Sequence, residues 1–243
     1  MERAALLIMT RFLIVSAFVL LATNAVEARS QERTQSVRFA RCSNGTELNK
    51  SLDALKLQGG DTIYKAAESL LTKARTVRGC RTQIVQALIS RMALATDLTT
   101  NNYENYFLWL HGASLLAELN ATEALDLLIS NLNLSDGWST SISESHLPAL
   151  VAVLKIGLPA IPKLQIVLSS DSQAHRRNFA AFAIAYIGGT QARRALTNAL
   201  PRETDPCVKN FLRISLQAFD NKASPNHISS ALNGKWLSAF YCR

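Results

Sequence analysis

Glycine and proline are scarce in this chain: ten Gly and six Pro in 243 residues, with every proline at or beyond Pro148. Aromatic residues make up only 7%. Strand-and-turn architectures draw heavily on all three, so a β-sandwich or barrel is not the expected fold. Acidic residues are also in deficit, 18 against 26 Lys and Arg, which leaves a net charge of +8. Such a field favours acidic partners, whether nucleic acid, anionic lipid or acidic protein, and carries no information on fold.

Catalytic signatures are missing as well. The sequence has no G-x-S-x-G, no glycine-rich phosphate loop, no H-E-x-x-H and no calcium loop. It has no C-x-x-C and no close Cys/His cluster, so no metal and no cofactor are expected. Ser114 and Asp126 with His111 are the nearest approach to a triad, and nothing local positions them. The chain therefore reads as non-enzymatic.

What is present is an ordinary globular composition, 48% apolar and 18% charged. The N-terminus has the pattern of a secretory signal peptide. Arg3 and Arg11 precede the apolar stretch Phe12 to Ala22, and Val26-Glu27-Ala28 offers small or aliphatic residues to signal peptidase. Cleavage is expected after Ala28, with Thr23-Asn24-Ala25 as a second site; if uncleaved, Ala4 to Ala22 would serve as an anchor. Removing residues 1–28 takes away Glu2, Arg3, Arg11 and Glu27, so the charge of +8 is unchanged. A secreted or periplasmic location follows.

Four cysteines remain in the mature part: Cys42, Cys80, Cys207 and Cys242. An even count in an exported chain marks disulfides. Of the three pairings, the local ones, Cys42–Cys80 and Cys207–Cys242, are the natural choice, because they span 38 and 35 residues and staple one end each.

The mature chain reads as helix almost throughout. Ile63, Tyr64, Ala66, Ala67, Leu70, Leu71 and Ala74 recur at helical spacing from Asp61 to Ala74, with Asp61 placed to cap the first turn. A second helix is expected from Arg81 to Ala95, and Pro206 sits where the first turn of a later helix tolerates it.

A frame then repeats. Arg177, Ala180, Ala181, Ala183, Ile184, Ala185, Ile187, Gly188 is echoed by His146, Ala149, Leu150, Ala152, Val153, Leu154, Ile156, Gly157. It is echoed again by Trp109, Gly112, Ala113, Leu115, Leu116, Ala117, Leu119, Asn120. A weaker copy holds Lys209, Leu212, Ser215, Leu216 and Phe219. The steps are 37, 31 and 32 residues. Independently, Ala124, Leu128, Leu132 recurs as Ala160, Leu164, Leu168 and as Ala192, Leu196, Leu200, at steps of 36 and 32. Two short helices per thirty-odd residues are the signature of an α-solenoid, in which each unit needs its neighbours to bury its apolar face.

The stretch from Asp171 to Phe219, with Arg176-Arg177, Ala180-Ala181, Ile187-Gly188 and Asp205-Pro206-Cys207-Val208-Lys209, resembles HEAT repeats of the bilin-lyase-like class. The resemblance covers residues 105–219 and implies an all-α fold: a right-handed solenoid of antiparallel helix pairs. Trp109 and Asn120 depart from its basic and glycine positions, so that unit is expected to be distorted or to form the edge of the array. The expected organisation is a signal peptide over 1–28, a polar lead over 29–60, a helical pair over 61–100, HEAT-like repeats over 101–220 and a cap over 221–243. Trp236 and Cys242 fall in the cap.

HEAT-like arrays usually hold macromolecules, so a protein partner is the leading expectation. Contact of a basic surface with anionic membrane or envelope polymer is the runner-up. A HEAT-fold enzyme such as a DNA glycosylase or bilin lyase ranks behind, since export argues against nucleic acid. Two features mark candidate contact sites. The loop Leu134 to Ser145 lengthens one repeat and carries Trp138, either a recognition residue or a lid over a helix edge. Arg176, Arg177, Arg193, Arg194 and Arg202 form a basic series, either a ridge for a partner or a solvated face with local acids. The ends are basic: residues 29–100 hold 12 basic against 6 acidic, 101–170 hold 2 against 6, and 171–243 hold 10 against 4.

His111, His146 and His175 take different offsets in the frame and His227 lies beyond it, so they form no ladder. Asn44, Asn49, Asn120 and Asn133 begin N-x-S/T sequons; composition alone supplies roughly two by chance, so their number decides nothing.

Overall fold

The computed structural model describes residues 45–95, 103–135 and 147–220. Among these residues no strand occurs, and ten α-helices follow one another. They are α1 (Gly45–Ala54), α2 (Asp61–Thr76), α3 (Cys80–Leu94), α4 (Tyr103–Glu118), α5 (Leu125–Ser130), α6 (Pro148–Ile156), α7 (Ile161–Ser170), α8 (Ala174–Ile187), α9 (Gly189–Ala199) and α10 (Pro206–Asp220). Short 3₁₀ turns, Thr122–Ala124 and Leu158–Ala160, lead into α5 and α7. No single helix among the described residues is long and apolar enough to cross a membrane.

The helices at 61–76 and 80–94 match the sequence periodicity, and two details differ from it. Asp61 does not cap α2: Gly60 occupies the cap position with φ 100° and the cap has no side-chain hydrogen bond. Asp61 instead begins the helix, where its charge still opposes the positive end of the dipole. The polar lead over 29–60 contains α1, whose Leu52, with Leu55 just beyond, is fully buried. Leu48, Leu52 and Leu55 lie at helical spacing and pack into the common core, which supplies the stability that ten mostly polar residues lack alone.

Packing runs between neighbours in the chain. Each of α1 to α3 packs on the next helix; α4 packs on α6, α6 on α8 and α8 on α10, while α5 packs on α6 and α7, α7 on α8 and α9, and α9 on α8 and α10 as a second layer. The repeated frame is the reason. Ala149, Leu150, Ala152 and Val153 of α6 and Ala180, Ala181, Ala183 and Ile184 of α8 are all within 1% of complete burial. Small side chains at these positions let adjacent helices approach closely. Gly112 takes the corresponding position in α4, where an added Cβ would lie 2.8 Å from Met92 Sδ of α3. The second-layer triplets behave alike: Ala124, Leu128, Ala160, Leu164, Ala192 and Leu196 are fully buried.

The frame's last residue is the chain reversal. Asn120, Gly157 and Gly188 have φ of 47°, 75° and 75°, and Asn120 is the one non-glycine with positive φ among the described residues. Asn tolerates the positive φ at its turn, where the Ala121 N–H donates back to the Leu116 carbonyl, whereas Gly157 and Gly188, with ψ of −134° and −170°, take a conformation open essentially to glycine alone. At Gly157 the chain swings through 108° between α6 and Leu158–Ser170.

Trp109, at the frame position held by Arg177 in α8, also keeps a role. Its Nε1 donates to the carbonyl of Ala95 at 2.9 Å, just past the end of α3. Arg177 Nη1 donates to the carbonyls of Asp171 and Ser172, just past the end of α7, at 2.9 and 3.2 Å. Different donors at one frame position tie a helix to the end of its predecessor.

Gly157→Ala is expected to lower stability by about 1–2 kcal/mol in a denaturant titration, the cost of a left-handed non-glycine residue. Asn120→Gly should be neutral or slightly stabilising, and Asn120→Ala should lose about 1 kcal/mol.

Candidate functional site

The ends of α1, α3, α5, α7 and α9, each with the start of the helix that follows, are called here the first rim, and the ends of α2, α4, α6 and α8 with the starts that follow the opposite rim. The first rim carries most of the unusual surface. Leu57, Tyr64, Leu94 and Tyr103 are exposed there, at 47, 73, 84 and 46%, and sit at the α1–α2 connection, the start of α2, the end of α3 and the start of α4. Arg91 holds Asp53 and Asn49 across the same end. Ser135 and Leu147, between which the long Trp138 segment departs and returns, lie at the α5–α6 step of this rim. Trp138 itself, with His146, is outside the described residues.

At the α7–α8 and α9–α10 steps the rim contains a buried ion pair. Arg177 Nε and Nη2 donate to the two carboxylate oxygens of Glu203 at 2.9 and 2.8 Å, a bidentate fork. The side chains are only 13% and 4% exposed. Glu203 Oε1 also accepts the Asp205 N–H at 2.8 Å. The Arg177 hydrogen bonds, with that N–H, hold the Glu203 carboxyl below the usual carboxylate range against the opposing effect of burial. Asp205 caps α10 by accepting from the N–H groups of Cys207 and Val208 at 2.9 and 3.0 Å, directly before Pro206 at the first helical position.

Beside this pair, between the C-terminal ends of α7 and α9, opens a cleft of about 260 Å³. Gln165, Ser169 and Ser170 line it from α7, Asn198 from α9, and Arg202 and Thr204 from the turn after α9. The volume sits below the range of about 300–1,000 Å³ typical of small-molecule pockets, so it has room for one or two side chains. Its lining holds no aromatic residue.

The remaining basic series divides. Arg176 pairs with Asp171 at 2.9 Å and Arg193 with Asp220 at 2.6 Å, whereas Arg194 and Arg202 are exposed and join no ion pair among the described residues. A continuous free ridge is thus not what these five arginines form. On the opposite rim, Arg81 repeats the Arg177 device, donating to Glu123 and to the carbonyls of Leu119 and Asn120 that end α4. Lys163 bridges from α7 to Asp126 of α5.

The triad-like set is not assembled. Ser114 is exposed on α4, Asp126 is committed to Lys163, and His111 is half-buried with its ring stacked on Phe107 at 6.3 Å. Burial holds the His111 imidazole below its usual pKa. No group of three His, Cys, Asp or Glu among the described residues is placed to hold a metal ion. Cys80 is fully buried, and neither it nor Cys207 is a free thiol; both are disulfide-bonded. Cys42 and Cys242 lie outside the described residues, as does the 221–243 cap. The chain matches no known family model, no curated protein and no solved structure.

The Arg177–Glu203 pair contributes to the acid response, as does the exposed Arg81–Glu123 pair, whose carboxyl is lowered in the same way by the Arg81 hydrogen bond. A carboxyl whose folded pKa is depressed contributes stability above its unfolded value, about pH 4.3, and loses it as pH falls through the folded value. Stability should therefore decline below about pH 4. Glu203→Gln should cost about 3–5 kcal/mol at neutral pH by leaving Arg177 buried and unpaired, and should flatten that acid limb. Denaturant titrations of both proteins at neutral and acid pH check this; an unchanged acid limb in Glu203→Gln would assign it elsewhere.

Proposed function

We propose that this chain is an exported, non-catalytic scaffold, a right-handed α-solenoid of HEAT-like helix pairs that holds a protein partner along the rim described above. The observation that carries the architecture is the frame itself. Three copies end on a left-handed residue, Asn120, Gly157 or Gly188, and each following helix presents the same buried Ala and Leu positions to its neighbours. Units that cannot bury their own apolar face are the working parts of a solenoid. The observation that favours the rim is its concentration of exposed apolar side chains and connections, with the Trp138 segment leaving at Ser135 and rejoining at Leu147. Export is supported by the apolar N-terminal segment and by Cys80 and Cys207 being bonded rather than free.

In this reading Cys42–Cys80 fastens the chain before α1 to the start of α3, and Cys207–Cys242 fastens the last residues to the first turn of α10. Non-reducing mass mapping of the mature protein should find these two links. A Cys42–Cys242 link would require the ends of the array to meet and would overturn the open solenoid.

The partner reading is tested by capture. Mature protein is immobilised and exposed to the extracellular or envelope fraction of its own source, alongside Trp138→Ala. The expected result is a reproducibly enriched protein partner, strongly depleted with the variant while the melting temperature stays the same. A stability loss of about 3–5 kcal/mol would make Trp138 a lid over a helix edge instead. Enrichment of cytosolic proteins alone, with an unprocessed N-terminus, would overturn the export assignment.

A further inference from the structure

Cations without an ion pair among the described residues occur in both parts of the chain, Lys50, Lys56 and Arg78 in the N-terminal one. In the described N-terminal part, Lys73 holds Glu47, Arg91 holds Asp53 and Arg81 holds Glu123. From 171 to 220 every carboxylate is already committed. Asp171 pairs with Arg176, Glu203 with Arg177 and Asp220 with Arg193, and Asp205 caps α10. Arg194, Arg202, Lys209 and Arg213 are left with no ion pair among the described residues, and the sequence from 221 to 243 contains no Asp or Glu.

The second-layer grooves differ in their ion pairs. Arg81–Glu123 spans from α3 to the turn entering α5, and Lys163–Asp126 joins α7 to α5. Between α7 and α9 the corresponding groove carries no ion pair and opens into the cleft, with Arg202 exposed at its wall.

We propose that the α7–α9 cleft receives an acidic peptide segment of the partner, with a carboxylate on Arg202. This inference rests on the scaffold reading above and names the chemistry of its partner. A guanidinium grips a carboxylate through two parallel hydrogen bonds. The surrounding amides and hydroxyls, Gln165, Asn198, Ser169, Ser170 and Thr204, match the donors and acceptors of a peptide backbone. Two carboxylates also line the cleft, Glu203 and Asp171, and both are already held, Glu203 by Arg177 and Asp171 by Arg176, so they fix the wall without taking Arg202 from the ligand. Nucleic acid is disfavoured because no aromatic ring lines the cleft for a base to stack on. A bilayer is disfavoured because Ile166 is the sole large exposed apolar side chain on α7.

The test uses the full mature protein and fluorescein-labelled, end-blocked hexaglutamate, with hexaglutamine, a single-stranded 20-nucleotide DNA and vesicles containing 30% anionic lipid as comparisons. Hexaglutamate is expected to bind at low salt, to weaken with added salt, and to lose about tenfold in affinity with Arg202→Gln. Arg213→Gln should change it less than twofold. Equal losses for all four single variants, Arg194→Gln, Arg202→Gln, Lys209→Gln and Arg213→Gln, would show a diffuse patch and overturn the cleft. Binding no tighter than hexaglutamine would overturn it as well, and so would tighter binding of DNA or vesicles that is lost with Arg202→Gln. Retained capture of the native partner alongside any of these failures would leave the scaffold reading standing and remove only this site.

Discussion

Each of α4, α6 and α8 hands the chain to the next helix across a connection of one to six residues, and the packing of the described region depends on that change of direction. A tight reversal needs a residue with positive φ, a region that costs an ordinary L-residue about 1–2 kcal/mol. Asn120, Gly157 and Gly188 meet this need. With the turn fixed, the buried alanine follows at a nearly constant distance: Ala124, Ala160 and Ala192 lie three or four residues on. Leu128, Leu164 and Leu196 then fall one helical turn later on the same face. The near-constant period of the sequence is thus the length of one turn, two helix faces and a return. Variation is confined to the returns, where the rim and the Trp138 segment lie.

The first position of the frame shows how one structural demand accepts different chemistry. Its task is to satisfy carbonyls left open where the preceding helix ends. An indole does this with a single N–H, and Trp109 at 2% exposure needs nothing more. A guanidinium brings a charge into the same setting, and a buried charge requires a partner. That is why Glu203 is buried behind Arg177 and why a second backbone N–H, from Asp205, is drawn onto it. The ion pair is thus a consequence of choosing arginine for a carbonyl tether. Its net contribution to stability is modest, while the loss of either member alone is costly.

Much of this was legible in the sequence, for physical reasons. Helical spacing predicts α2 and α3 to within two residues, and the frame predicts which alanines and leucines are buried. These are local periodic signals. The first helix was hidden because Leu48, Leu52 and Leu55 are its few apolar anchors among polar residues, and only tertiary packing makes them count. The cap at Asp205-Pro206 is readable as an N-cap residue followed by proline at the first helical position, whereas Asp61, which has the same residue type, starts its helix without capping it. Arg177 stood out as a position, but not as an inward one: its partner Glu203 lies 26 residues away, beyond any local pattern. The cleft was not legible at all. It arises from two helix ends whose approach is set by α8 between them.

The net charge of +8 is better understood as a division of labour than as a uniform field. In the N-terminal part some cations are matched to acids on neighbouring helices and cross-link them, as Lys73–Glu47 and Arg91–Asp53 do, while Lys50, Lys56 and Arg78 join no ion pair among the described residues. Such exposed pairs contribute little energy each, yet they bias which helix faces meet. From residue 171 on the acids are consumed by capping and by ion pairs, and cations remain in excess. An unpaired arginine at a cleft is hydrated and inexpensive to keep, unlike a buried one, so stability does not require Arg202 to be paired. Stability also gives no reason for the groove between α7 and α9 to stay unbridged when those before it are crossed by charge pairs. That combination, an open polar groove and a free guanidinium on rigid helix ends, is what separates this part of the rim from the rest of the surface.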